Sequence, residues 1–221
     1  MIYLNYIWDF DGTIFDSYPH VCSSLFRLFD EMGIADRFDR EMCMRHLRVS
    51  FDSMKKFTGI SDETYERFIE YELRTGENEI EPKVVPYADA YDVLAKIKNN
   101  GGRNFINTHR GSTLFTYLDS FGFTKLFDGF VTSDDCFPSK PAPDAVLSII
   151  EKYGLEKNET IMIGDREIDG LSGVNAGIDG ALVNFYSCLP DGSSPADSSS
   201  MKYRAKSLTE FARLVGIFDS N

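Results

Sequence analysis

The sequence predicts an α/β protein: a doubly wound, Rossmann-like parallel sheet with a helical insert after the first strand. Two observations predict it. Beyond Val84, short apolar runs alternate with amphipathic stretches of helical period, and between residues 17 and 83 no run reads as a strand. Strand, helix, strand repetition implies a parallel sheet with helices on both faces. With 221 residues, 43% of them hydrophobic, the chain is long enough for one such core and a modest insertion.

Ile2 to Trp8 reads as a buried strand ending in Asp9, Asp11 and Gly12. Asp16 or Ser17 can then cap a helix whose Val21, Leu25, Leu28, Phe29 and Met32 share one face, with Gly33 as its stop. Tyr65, Phe68, Ile69 and Leu73 form a second helical stripe. Val84-Val85-Pro86 resembles a return hinge, which divides the chain into a core of residues 1–16 and 84–221 and an insert of 17–83. After the hinge, Ala90, Val93, Leu94 and Ile97 line a helix that Gly101-Gly102 ends. There follow a strand at Asn104 to Asn107, a helix at Ser112 to Ser120 and a strand at Phe127 to Val131. Next come a helix at Pro143 to Tyr153, a strand at Thr160 to Ile163, a helix at Glu167 to Ala176 and a strand at Ile178 to Asn184. Ser187 to Ser200 reads as a surface loop before a last helix, Leu208 to Val215.

The formal net charge of -12 argues against a nucleic-acid or anionic-membrane partner, because phosphate backbones are gripped by clustered Lys and Arg. No basic leader precedes Ile2-Tyr3-Leu4, and no apolar run approaches the roughly 18 residues of a membrane span, so the expected location is the cytoplasm. Cys22, Cys43, Cys136 and Cys188 lack a CxxC pair and read as buried apolar groups. His20-x-Cys22 and Cys43-x-x-His46 would offer four zinc ligands only if their helices met.

Ligands of doubly wound sheets sit beyond the carboxyl ends of the strands. Those positions hold Asp9 and Asp11, then Thr108, then Lys140 after a longer loop, then Asp165 and Asp169. Carboxylates gathered in one cleft repel one another unless a cation neutralises them or one is protonated. Hard oxygen ligands with room for water favour Mg²⁺ over zinc. Lys140 adds positive charge, Thr108 a hydroxyl, and the N–H groups around Asp11, Gly12 and His109 could face a small anion. Such parts suit a phosphoryl group. Taken singly, Asp11-Gly12 could be a turn, Thr108 a helix cap and Lys140 a solvated charge; four strand ends would then have to coincide.

Asp9-Phe10-Asp11-Gly12-Thr13, the Thr108 strand end, Lys140-Pro141 and Gly164-Asp165-x-x-x-Asp169 resemble, in order and spacing, the haloacid dehalogenase superfamily of phosphohydrolases. The resemblance covers nearly the whole chain. It makes the insert a helical cap like that of phosphoglycolate phosphatases and beta-phosphoglucomutases. It implies Asp9 as nucleophile, forming an aspartyl phosphate, and Asp11 as general acid and base. It implies Mg²⁺ on the Asp9 side chain, the Asp11 backbone carbonyl and Asp165, and Asp169 supporting from behind. Thr108 and Lys140 would hold the phosphoryl oxygens of a small phosphorylated metabolite. His109, Arg110 and, in the cap, Arg48 are candidates for substrate contact.

Alternatives stay open at this point. A phosphorylated receiver domain also uses acidic residues, Mg²⁺, Thr and Lys, but has no use for the second Asp of DxD. A catalytically silent binding protein would not keep every motif residue. Beta-phosphoglucomutases usually carry a histidine after DS, where His20 stands one position early, and an arginine where "RVSFDS" places Phe51. A phosphonatase would need a cap lysine such as Lys55 or Lys56 for a Schiff base. The basic residues Arg37, Arg40, Arg45, Arg48, Lys55 and Lys56 would either attract an anionic leaving group or pair with neighbouring acids.

Overall fold

The computed structural model describes residues 1–75, 83–183 and 200–218, without the side chains of 71–75. Along the chain, β1 (Asn5–Trp8) and the two-residue β2 (Phe15–Asp16) precede four helices: α1 (Tyr18–Glu31), α2 (Arg40–Val49), α3 (Phe51–Thr58) and α4 (Asp62–Thr75). Then come β3 (Val85–Pro86), α5 (Ala90–Asn99), β4 (Arg103–Asn107), α6 (Thr113–Ser120), β5 (Gly129–Val131) and α7 (Asp144–Tyr153). The last elements are β6 (Thr160–Gly164), α8 (Glu167–Ala176), β7 (Asp179–Val183), β8 (Tyr203–Ala205) and α9 (Leu208–Leu214). The chain divides into two compact units, one holding Met1–Phe15 and the described residues from Pro86 onward, the other running from Asp16 to Val85.

The α/β unit is a six-stranded sheet in the order β5-β4-β1-β6-β7-β8, and every strand pair in it is parallel. The order reverses at β1, so the crevice of a doubly wound sheet opens beside that strand. β1 is buried along its whole length, as a strand covered on both faces must be. Its side chains alternate: Ile7 joins Phe105, Val146, Ile149 and Met162 in one cluster, while Tyr6 stacks with Trp8, whose indole meets Phe211 edge-on. The Trp8 indole N–H donates to Asn104, and the Asn104 amide donates in turn to the carbonyls of Leu94 and Leu126. A buried amide is tolerated there because its hydrogen bonds are made.

The first strand is shorter than the sequence suggests. Its neighbours begin level with Asn5, which pairs with Arg103 and Thr160; Leu4 adds the flanking backbone bonds, its N–H on the Glu159 carbonyl and its carbonyl on the Arg103 N–H, but Ile2 and Leu4 are both exposed. β5 likewise starts at Gly129 rather than Phe127, and β8 was not expected at all. The expected loop 187–200 lies, but for Ser200, outside the described residues, as do Cys188 and the Asn184 strand end.

The helical unit buries one face of α1, with Cys22, Leu25 and Phe29, against Cys43 and Leu47 of α2, Met54 of α3 and Phe68 of α4. Local signals fix its ends. The Asp39 side chain accepts from the Met42 N–H at the start of α2, Ser50 does the same for Ser53 at α3, and Gly59 ends α3 at φ +64°. Ser17 stands at the start of α1 but makes no capping bond with its side chain. No helix among the described residues is long and apolar enough to cross a membrane.

Candidate active site

Asp9 follows β1 directly, and its N–H donates to the Ile163 carbonyl at 2.8 Å, carrying the β1–β6 pairing one residue further. The chain then turns away at Gly12, whose φ of +76° suits glycine. The Gly12 N–H is taken by the Phe15 carbonyl at 2.8 Å, so it is spent within the turn rather than offered to an anion as expected. Thr13, given no role of its own by the sequence, donates its hydroxyl to Asp165 at 3.4 Å. Its signal was its place in the DxDGT motif.

Lys140 joins two strand ends. Its ammonium donates to Oδ1 of Asp9 at 2.6 Å and to Oδ1 of Asp169 at 2.8 Å, with all three side chains at most 2% exposed. Burial alone would lower the Lys140 ammonium, but Asp169 and Asp9 together hold it above its ordinary value. Burial opposes ionisation of Asp169 as well, yet Lys140 and Arg166 outweigh it and keep that carboxyl below the usual range. For Asp9 burial wins and pushes the carboxyl up to about 7, against the pull of Lys140. Oδ2 of Asp9 is buried without a hydrogen-bond partner.

The loops that deliver these groups are tied down. Gly164 ends β6 where a Cβ would fall 2.2 Å from the Asp169 Cβ, so only glycine lets α8 approach this closely. The Asn175 amide donates to the Pro141 carbonyl at 2.9 Å, holding the Lys140 loop against α8, a contact with no sequence signal. Thr108 is buried at the end of β4, its N–H on the Val131 carbonyl and its hydroxyl accepting the Arg110 N–H at 3.1 Å.

The model of the haloacid dehalogenase-like hydrolases matches residues 6–183, well over half of the chain. The chain belongs to that family. Pyrophosphatase PpaX of Halalkalibacterium halodurans is 28% identical over 81% of this chain and 82% of its own. Phosphoglycolate phosphatase of Aquifex aeolicus is 24% identical over 93% of this chain and 98% of its own. A solved hydrolase from Streptococcus pneumoniae TIGR4 superposes with a TM-score of 0.61 at 30% identity, covering 81% of this chain and 91% of that one.

In this haloacid dehalogenase-like hydrolase, Asp9, Asp165 and Asp169 offer carboxylate oxygens within 4.8 Å of one another, and among the described residues no other such grouping occurs. The donors are hard oxygens with no nitrogen or sulfur, which fits Mg²⁺, and the unpartnered Asp9 Oδ2 is an oxygen a cation would satisfy. The His20, Cys22, Cys43, His46 quartet assembles no zinc site. Cys22 and Cys43 are buried thiols, with burial pushing Cys43 up to about 12, and His46 Nδ1 lies 2.9 Å from the Ser53 hydroxyl.

Asp11 does not join the acidic grouping through its side chain. Its carboxylate takes the Arg110 guanidinium, with Nε 3.1 Å from both oxygens and Nη2 2.6 Å from Oδ1. His109 accepts the Lys140 N–H on Nε2 at 3.2 Å. Burial, with Lys140 and Arg166 nearby, pushes its imidazole down to about 4, so the ring accepts as the neutral form. Of the cations in the helical unit, Arg48 lies 5.7 Å from the Tyr18 ring centre, Arg45 pairs with Glu41, and Lys55 pairs with Asp62.

Proposed function

We propose that the chain is a Mg²⁺-dependent phosphatase of small phosphomonoesters, working through a phosphorylated Asp9. The observation that carries this reading is the buried Asp9 carboxylate, one oxygen on Lys140 and the other without a partner, at the strand end facing Asp165 and Asp169. A buried, unpartnered carboxylate oxygen costs stability and is retained where chemistry needs it.

Asp9 attacks phosphorus, the new O–P bond forming as the ester P–O bond breaks. Asp11 gives its proton to the departing alkoxide, then takes one from the water that splits the aspartyl phosphate, so an alcohol and inorganic phosphate leave. Lys140 and Thr108 hold the phosphoryl oxygens. Asp9, the Asp11 carbonyl and Asp165 would hold the cation, which when bound offsets the charge of carboxylates and phosphoryl oxygens together. Asp169 keeps Lys140 charged and in place.

The domain division expected from the sequence, a cap at 17–83 and a core elsewhere, is part of this proposal. Phe51 packs against Tyr65 and Phe68, with ring centres 5.7 and 6.0 Å away, so it belongs to the apolar core of the helical unit where a mutase would carry its arginine. The names of the relatives, a pyrophosphatase and a phosphoglycolate phosphatase, support a small phosphorylated substrate. Asp9→Asn should abolish release of phosphate from a generic phosphate ester in Mg²⁺; normal turnover by that variant sinks the proposal.

A further inference from the structure

The hydrolytic steps use Asp9, Asp11, Thr108 and Lys140 but give Arg110 no task, although its guanidinium sits on the acid itself. Nε and Nη2 grip both oxygens of the Asp11 carboxylate. Aromatic rings steady the fork: its centre lies 5.6 Å from the Phe10 ring and 5.2 Å from the Tyr117 ring. Nη1 reaches the Thr113 hydroxyl at 3.3 Å. The pair stays open to ligand, with the side chains of Arg110 and Asp11 exposed by 14% and 28%. All of these groups belong to the α/β unit.

We infer that Arg110 is the receptor for a second negative charge on the substrate, carried by the leaving group. This rests on the phosphatase reading and narrows it. The favoured substrates are phosphoryl compounds whose departing part bears a carboxylate or phosphate within two or three bonds of the departing oxygen.

Whatever oxygen Asp11 protonates must come within a hydrogen bond of its carboxylate, and Arg110 is within a hydrogen bond of that same carboxylate. The guanidinium is therefore within about 6 Å of the departing oxygen. The planar fork of arginine fits a carboxylate or phosphate in two-point fashion, and Asp11 is a carboxylate already filling it. A substrate anion is the chemical equivalent of the Asp11 side chain and can replace it. While Arg110 holds both oxygens, the Asp11 carboxylate is shared with the guanidinium; an anion that takes over the fork leaves it to the departing oxygen alone. A neutral leaving group makes no such exchange. A purely structural clamp would act alike on both kinds of substrate.

Matched ligands separate these readings in the full chain with Mg²⁺. Binding of phosphonoacetate is compared with binding of ethylphosphonate, and turnover of 2-phosphoglycolate with that of ethyl phosphate, for wild type, Arg110→Lys and Arg110→Gln. Loss of a charge-assisted two-point contact corresponds to roughly 10- to 100-fold in affinity. Wild type should prefer phosphonoacetate by at least about tenfold. Arg110→Gln should bring that ratio near unity, chiefly through KM in the turnover arm, and Arg110→Lys should keep part of it. A wild-type ratio near one overturns the inference without any variant. So does a ratio that Arg110→Gln leaves unchanged, even if both ligands weaken together. Phosphate release from neither ester, with the binding ratio as expected, overturns the phosphatase reading and leaves the anion receptor standing.

Discussion

The Lys140 ammonium holds Oδ1 of Asp9 at 2.6 Å while Oδ2 of the same carboxylate is buried without a hydrogen-bond partner. Asp169 shares that ammonium at 2.8 Å, so one cation serves two anions away from bulk water. With both acids ionised the trio carries surplus negative charge, an expensive state unless another cation or an electrophile arrives.

That expense should be measurable against pH. The Asp9 carboxyl, 3.8 in its ordinary state, is raised to about 7 by burial. The folded chain therefore binds this proton more tightly than the unfolded one. Stability from this group is fully present below about pH 3.8 and is lost as pH rises through 7. Asp9→Asn is neutral at every pH. In chelator at pH 8 it should be more stable than wild type by on the order of 1–2 kcal/mol, less than the full shift because the substitution also takes the Asp9 carboxylate away from Lys140, and the gap should close toward pH 5. Added Mg²⁺ should stabilise wild type far more than the variant. Thermal melts read both effects; a variant that melts lower at pH 8 in chelator would show that Lys140 already neutralises the trio.

Removing the shared cation should act in the opposite direction. Lys140→Met leaves Asp9 and Asp169 facing each other unpaired, which should cost about 3–5 kcal/mol of stability. Phosphate release should fall by about 10²- to 10³-fold in kcat, the range for losing one charge-stabilising donor. Melts and initial rates at saturating Mg²⁺ test it, and a variant with wild-type kcat would remove Lys140 from the chemistry.

Much of this was legible because parallel strands covered on both faces read as apolar runs, and a doubly wound sheet puts polar residues just past them. Asp9, Thr108, Lys140 and Asp169 could be singled out on that logic alone. β8 could not: Tyr203-Arg204-Ala205 is three residues with an exposed arginine at a sheet edge, too short to show a period. Arg110 on Asp11 and His109 on Lys140 were illegible for another reason. They span 99 and 31 residues and depend on how the loop after β4 folds back, which no local pattern encodes.

Gly164 tests how tightly the site is packed. A methyl at this position would sit 2.2 Å from the Asp169 Cβ and 2.5 Å from its Cγ, and both are held by the start of α8. Gly164→Ala should destabilise by about 1–3 kcal/mol, as overpacking does. It should also lower kcat, because Asp169 then no longer aligns Lys140. An unchanged melt would mean that α8 gives way without cost.

His109 is the last link, and its protonation state decides what it can do. Its ordinary value of 6.5 is pushed down to about 4, first by burial and then by Lys140 and Arg166. With the folded value depressed, the contribution of the neutral ring is present above 6.5 and lost as pH falls through 4. A protonated ring would turn a donor toward the Lys140 N–H and break the 3.2 Å bond. His109 as a whole residue is exposed, so solvent softens the effect on stability, and activity is the better readout. Between pH 5 and 8 wild type should show no rate inflection from His109. His109→Phe, which cannot accept the bond, should lose about tenfold in kcat at every pH in that range, a loss of the size expected for one misplaced hydrogen bond. His109→Gln, whose amide oxygen can accept it, should keep most of the rate. If His109→Phe instead reshapes the acid limb while keeping its plateau, the imidazole takes part in proton transfer, and its role is not to position Lys140.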